Sequence, residues 1–326
     1  MKHISILIPE GDCSITHIEG TQQILSMVNT FLESKDRDPL FVIELVGLNK
    51  DTVIKKKFYT IHHDKLISDI QKTDLIIIPA LQGNDMEKAV ELNQPYVSWL
   101  LAQHRGGAEI ASLCLGSFLL ASTGLLSNKQ CTTHWSAAND FKKMFPDVDL
   151  VPDKILIDAN GIYSSGGALS FSNLLLYLIE KYAGRDIAVL AAKTFMIDID
   201  RDRQSPFIIF KAQKDHEDES ILKAQNFIEK NYSEKLSVDD LASMFALGRR
   251  NLERRFKKAT SNTVVEYIQR VKIEAAKISL ESSQHNVSEV MYKVGYNDTK
   301  AFRSTFKKIT GLSPVQYRSK FRQKVG

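Results

Sequence analysis

Cysteine is scarce in this 326-residue chain: Cys13, Cys114 and Cys131 are the only three, an odd number with no metal-type spacing. That excludes a disulfide framework and a structural zinc site, and no metal or cofactor is expected; a reducing compartment fits best. Long apolar runs are also missing. The least polar stretch, 113–126, is interrupted by Ser, Gly and Thr and falls short of the roughly 20 residues a transmembrane helix needs. The initial run Ile4–Ile8 is too short for a signal peptide, so a cytoplasmic protein without a membrane partner is expected. Nor is the composition extreme: 43% hydrophobic and 25% charged residues exclude a disordered or collagen-like chain. At about 150 residues per domain, this length predicts two domains, each able to bury a core.

Charge is unevenly placed. The net +4 combines 21 Lys and Arg against 13 Asp and Glu from residue 216 onward with an acidic remainder, 22 against 26. A basic tail third on an acidic body suggests a polyanionic partner for the tail alone; a solvated cationic face is the plainer reading, and placement must decide.

The first 200 residues alternate two signals. Ile4–Ile8, 41–46, Leu75–Ile78 and Glu109–Leu113 are short β-branched runs, two of them ending at Pro, and read as buried strands. Thr21–Glu33, Tyr96–His104, Leu115–Leu125 and Phe171–Tyr182 carry helical periodicity. The alternation predicts a flavodoxin-like α/β domain, a parallel sheet with helices on both faces. Residues 198–219 are charged and contain Pro, and beyond Ser220 only helical periodicity appears. The expected organisation is therefore an α/β domain over 1–205, a linker over 206–219 and an all-α domain over 220–326.

That last third repeats itself. Val238, Leu241, Ala242 and Phe245 form one face of a short helix, followed after a turn by a second helix with Leu252 and Phe256 inward. About fifty residues later the pattern returns as Val287–Val294, a Gly295-Tyr296-Asn297 turn and a helix with Phe302 and Phe306 inward. This is helix-turn-helix spacing, with Gly248 or Asn297 at the N-cap of the second helix. Opposite those inward positions lie Arg249, Arg250, Asn251 and Arg254 in the first unit and Thr299, Lys300, Arg303 and Lys307 in the second. Arg and Asn match the major-groove edges of G and A bidentately, whereas Lys257, Lys258, Lys307 and Lys308 suit phosphates. A helical connector, Thr263–Ser283, spans about 30 Å at 1.5 Å per residue, close to the roughly 34 Å between successive major-groove openings.

At these residues the chain resembles the AraC/XylS family of bacterial transcription regulators. The resemblance is densest in Gly295-Tyr296-Asn297-Asp298, Phe302-Arg303, Phe306-Lys307-Lys308, Thr310-Gly311, Ser313-Pro314 and Tyr317-Arg318, and covers about 105 residues. Gly248, Met291 and Lys272 stand where that family commonly has Ser, Ala and Arg. The resemblance implies two helix-turn-helix motifs in one chain reading an asymmetric element of double-stranded promoter or operator DNA, with RNA polymerase as a further partner.

In the α/β domain, Ser112-Leu113-Cys114-Leu115-Gly116 joins a strand to a helix through small residues two before and two after Cys114. This is the nucleophile-elbow pattern with Cys in place of Ser, and a helix N-terminus there favours thiolate. His134 follows twenty residues on, Gly83 is placed to offer a backbone N–H, and Gly166-Gly167 to let backbone approach a ligand. The stretches 111–126 and 133–135 resemble the DJ-1/PfpI branch of the class I glutamine amidotransferase-like fold, over about residues 3–205. Enzymes of that superfamily often bring an early-loop carboxylate to the cysteine; here His17 occupies that slot, with Glu19 the nearest acid, and no Glu follows His134 at the amidotransferase spacing. The expected ligand pocket is Cys114, Leu115, His134, Gly83 and Glu19, with no catalytic residue assigned. Cys114 is open to three uses: a pocket residue, a redox or electrophile sensor, or a working nucleophile; a plain buried cysteine is the fourth reading. Cys13 and Cys131 read as ordinary buried residues.

Two functions compete. One is a sequence-specific DNA-binding regulator whose first domain senses an unknown small-molecule effector and forms a homodimer. The other is a cysteine-dependent hydrolase or hydratase acting on small carbonyl or amide compounds.

Overall fold

In a computed structural model, residues 1–55, 57 and 60–322 are described. The chain divides into two units, Met1–Gln204 and Ser205–Gly326.

Strand side chains point alternately to opposite faces, and the first unit uses both. Ile4, Ile6, Leu75, Ile77, Ala111 and Leu113 enter one core; Leu7, Ile76, Ile78 and Ile110 enter the other. The strands are β1 (Lys2–Leu7), β2 (Phe41–Gly47), β3 (Val53–Lys55), β4 (Thr60–His62), β5 (Lys65–Leu66), β6 (Leu75–Ile78), β7 (Glu109–Leu113), β8 (Gln130–Cys131), β9 (Asp149–Leu150), β10 (Leu156–Asp158) and β11 (Ile162–Ser165). Seven make the central sheet in the order β10-β11-β7-β6-β1-β2-β5. Its pairings are parallel except β10 with β11, so the sheet carries one antiparallel edge strand.

Helices α1 (Ile15–Glu33), α6 (Phe171–Ala183) and α7 (Arg185–Thr194) cover one face. Helices α2 (Met86–Leu92), α3 (Pro95–Arg105), α4 (Ser117–Ser122) and α5 (Ala138–Met144) lie on the other. Two helices depart from the sequence reading. α1 begins at Ile15 rather than Thr21, because Ile18 belongs to the buried stripe that Leu25, Val28 and Leu32 continue. The expected helix Leu115–Leu125 is a three-residue 3-10 turn, Cys114–Gly116, followed by the six-residue α4.

The second unit is helical: α8 (Glu219–Lys230), α9 (Val238–Met244), α10 (Arg249–Thr260), α11 (Val264–Ser282), α12 (Val287–Lys293), α13 (Thr299–Thr310) and α14 (Pro314–Phe321). Connector α11 serves two cores. Its first half, with Val264, Tyr267 and Ile268, packs with α8, α9 and α10. Its second half, with Ile273, Ala276 and Leu280, packs with α12, α13 and α14. A capping box of Thr263 and Glu266 fixes its start. The N-cap of α10 is Gly248. That of α13 is Asp298 rather than Asn297, since the Asp298 carboxylate accepts the Ala301 N–H at 2.6 Å.

The segment expected as a linker is tied to this unit. Lys277, 3% exposed, donates to the Ile208 carbonyl at 2.6 Å and pairs with Glu274 at 2.8 Å, while Glu274 accepts the Phe210 N–H at 3.1 Å. Phe210 lies edge-on to Tyr267, and Phe207 to Phe321.

Candidate nucleic-acid interface and elbow site

Helices α10 and α13 have, position for position, the same pattern of exposure over their twelve residues. Leu252 and Phe256 in one, Phe302 and Phe306 in the other, are fully buried. Arg249, Arg250, Asn251 and Arg254, and likewise Thr299, Lys300, Arg303 and Lys307, are all exposed. The turns match too: Ala246 and Gly295 both take positive φ before the second helix, and Ser261 and Gly311 both close it in the left-handed conformation. Gly295 is needed at its turn, since a Cβ there collides with the Ser233 carbonyl.

The two cationic faces are not equally available. Arg249 donates to Asp239 at 2.9 Å and to Glu253 at 3.4 Å, so α9 holds its guanidinium. Arg254 donates to the Asn251 side-chain carbonyl at 3.0 Å, which orients both groups on one surface. Arg255, half-buried, makes a two-pronged contact with Asp218 at 2.8 and 2.5 Å. That contact holds the Asp218 carboxyl below its ordinary range and makes Arg255 structural. Glu253 and Arg303 occupy equivalent positions, one acidic and one basic, so the two helices present different chemistry on one scaffold.

Lys272 lies between the motifs, buried on α11. Its ammonium donates to the Glu234 carbonyl at 3.1 Å, just before α9, and to the Gly295 carbonyl at 3.2 Å, in the second turn. Burial lowers its pKa. Sequence reading noted it only as a Lys where Arg is commoner.

In the first unit the elbow is real. Cys114 takes φ of 55° at the end of β7, a strained conformation for a non-glycine residue. Gly116 is required, since a Cβ there meets the Ile78 and Pro79 carbonyls at 2.5 and 2.7 Å. Ser117 donates to the Cys114 carbonyl at 3.0 Å and to the Thr133 hydroxyl at 2.8 Å, and Thr133 donates to the same carbonyl at 3.3 Å. These bonds hold the residues before His134 against the elbow.

The surroundings of the thiol work against its activation. Burial pushes the Cys114 thiol up to about 12, against a smaller opposing hydrogen bond from the Leu115 N–H. Loss of solvent thus opposes the thiolate expected at this turn, where only a three-residue 3-10 segment follows the strand. Nδ1 of His134 accepts the Ser136 N–H at 3.2 Å and lies 2.7 Å from the Ser136 hydroxyl, with the ring beside Trp135. Burial lowers its pKa. Leu115 is half-buried.

The other two expected pocket residues, Glu19 and Gly83, are both exposed. Glu19 is exposed and accepts from Gln23 at 3.0 Å; with α1 starting at Ile15, residues 17 and 19 fall on opposite sides of the helix. The inward one is His17, 2% exposed. Its Nδ1 accepts the Ala80 N–H at 3.1 Å and its Nε2 donates to the Ala168 carbonyl at 2.8 Å. Burial lowers its pKa, so this ring is a neutral brace between loops. Gly83 sits in the exposed loop 82–85 with φ of 149°, and the groups against the elbow glycine are the Ile78 and Pro79 carbonyls instead.

Sequence reading missed Gln204. This residue, 1% exposed, sends its side-chain amide to the carbonyls of Thr133 and Lys154, each at 2.9 Å, and of Pro152 at 3.1 Å, while its carbonyl accepts the Trp135 N–H at 3.2 Å. A Cβ at Gly166 collides with that amide. The space that Gly166 leaves open is thus occupied by the chain itself, not left for a ligand.

Among the described residues no cluster of His, Cys, Asp or Glu could hold a metal ion, and no helix is long and apolar enough to cross a membrane.

Comparison with known proteins follows the two-unit division. Residues 40–181 match the DJ-1/PfpI family model and residues 241–320 a helix-turn-helix domain model. The HTH-type transcriptional regulator CdhR of Pseudomonas aeruginosa is 25% identical over 268 residues, 82% of this chain and 78% of CdhR. GbdR, an HTH-type transcriptional regulator of the same organism, is 26% identical over 224 residues, 68% of this chain but only 61% of GbdR. Drosophila melanogaster DJ-1beta is similar in fold, with a TM-score of 0.50 at 20% identity, over 60% of this chain and 98% of that one.

Proposed function

We propose that the chain, whose residues 40–181 match the DJ-1/PfpI family model and residues 241–320 a helix-turn-helix domain model, is a cytoplasmic, sequence-specific DNA-binding transcription regulator of the AraC/XylS type whose first unit senses a small metabolite. The observation that carries this reading is the duplicated surface. Two helices of identical exposure pattern each present cationic side chains outward from a buried aromatic or aliphatic face, joined by the Asn251 amide in α10 and the Thr299 hydroxyl in α13. A solvated face gives no reason for that repeat, whereas successive major grooves do.

In this reading Arg250, Asn251 and Arg254 of α10 and Thr299, Lys300 and Arg303 of α13 meet base edges, and Lys257 and Lys307 meet phosphates. Arg249 reaches DNA only on leaving Asp239. Cys114, Leu115 and His134 remain the candidate effector contacts at the elbow, with a neutral thiol. A raised thiol pKa and an outward Glu19 weigh against the cysteine-hydrolase alternative. Homodimerisation through the first unit and contact with RNA polymerase belong to the same proposal.

The test is fluorescence anisotropy of the full chain on its own promoter DNA. Arg303→Ala and Arg250→Ala should each weaken specific binding by about 1–3 kcal/mol and relax preference at one position. Lys307→Ala should weaken binding to all sequences alike and lower the salt slope by about 1. Unchanged affinity and preference in both Arg variants would refute the DNA-reading assignment.

A further inference from the structure

The first unit contains a cavity that no elbow residue lines. It has a volume of about 300 Å³ and lies among β10, α6, α7 and residues 199–202. Such a volume is at the lower end for metabolite sites. Its lining combines the apolar Ile155, Leu176, Ala188 and Ile199 with the cationic Lys154 and Arg201.

The charges favour an anion. The cavity's two carboxylates already have cationic partners: Glu180 receives Arg185 at 2.6 Å, and Asp202 lies 3.6 Å from Arg203. The Lys154 ammonium has no such carboxylate among the described residues. Asn173 donates to the Asp198 carbonyl at 2.7 Å and ties the 198–202 rim to α6.

The cavity also connects to other parts of the unit. Lys154 supplies the carbonyl that Gln204 binds, and the same Gln204 amide binds the Thr133 carbonyl beside the elbow. The Ile155 N–H donates to the Asp202 carbonyl at 3.2 Å, and the Gln204 N–H to the Asp153 carbonyl at 2.7 Å. Ile199, Arg201 and Asp202 thus line the cavity within the last six residues of the first unit.

We propose that this cavity is a second small-molecule site, distinct from the cysteine elbow, that binds a small carboxylate through Lys154 and Arg201 and seats its hydrocarbon part against Leu176 and Ala188. Its consequence for DNA binding rests on the regulator reading above; its occupancy does not. A ligand here holds residues 199–202 in place, and through Gln204 the strand ends beside Cys114.

The experiment is saturation-transfer NMR of the full chain with butyrate as probe and butyramide as its uncharged isostere, without DNA. Saturable butyrate binding in the millimolar range is expected, with butyramide failing to compete. Lys154→Met and Arg201→Met should each weaken butyrate roughly tenfold, the loss of one charge-assisted contact. Ala188→Phe, which fills the apolar part of the lining, should abolish binding, and the exposed-surface variant Lys142→Met should leave it unchanged. Circular dichroism melting shows each variant folded. Butyrate binding that fails to saturate, that butyramide matches, or that survives both cation variants would overturn the proposal. None of these outcomes bears on whether the second unit binds DNA.

Discussion

Cys114 combines the geometry of a nucleophile elbow with surroundings that disfavour a thiolate. Its φ of 55°, the glycine two residues on and the hydroxyls of Ser117 and Thr133 reproduce the turn, while burial pushes the thiol pKa up to about 12. At pH 8 a thiol of pKa about 12 is ionised in roughly one molecule in ten thousand. Alkylation by iodoacetamide at Cys114 in the native chain is therefore expected to be orders of magnitude slower than in the denatured chain. Native labelling as fast as denatured labelling would show an activated cysteine. His17 gives a pH prediction. Both its nitrogens are committed to backbone groups and burial lowers its pKa. Below the free imidazole value of about 6.5, the unfolded chain takes up a proton that the folded chain resists. Stability is then fully present above that value and is lost as pH falls toward the lowered folded one. Melting temperatures between pH 7.5 and 5.5 should fall more steeply for the wild-type chain than for His17→Gln; equal slopes would remove His17 from the acid response. That His17 points inward and Glu19 outward was not legible, because it depends on where α1 begins, and the first turn of that helix has no acidic residue to mark it.

At the scale of elements, the repeat was legible and the braces were not. A 3.6-residue period repeated about fifty residues apart is local information, so Leu252, Phe256, Phe302 and Phe306 were placed inward from sequence, and they are buried. Gln204, Lys272 and Lys277 act on carbonyls far along the chain, and no spacing rule announces such partners. The same holds for Arg249, whose capture by Asp239 depends on how α9 and α10 cross. Lys277 is the clearest test of bracing. Replacing it with Met leaves Glu274 and the Ile208 carbonyl without their cation in a buried setting. The second unit should lose about 3 kcal/mol, read as a lower denaturation midpoint with an unchanged denaturant slope. A change within a few tenths of a kcal/mol would mean that residues 208–210 are not held by this pair.

Taken whole, the molecule joins an α/β fold and a helical fold on one chain, and its charge follows that division. The excess of +8 from residue 216 onward belongs to the unit with α10 and α13. The nineteen residues of α11 between their motifs run about 28 Å at 1.5 Å per residue. That is near one turn of B-DNA, so α10 and α13 on one connector suit two adjacent grooves in the proposed reading. Because Glu253 and Arg303 hold equivalent positions, the two half-elements should differ in sequence. The most direct measurement is a hydroxyl-radical footprint of the full chain on duplexes that it selects from a random library, repeated with Arg303→Ala. Two protected stretches about 10 base pairs apart, with different sequences, are expected, and Arg303→Ala should erase base preference in only one of them. A single protected stretch, two identical half-elements, or preference untouched by Arg303→Ala would contradict it.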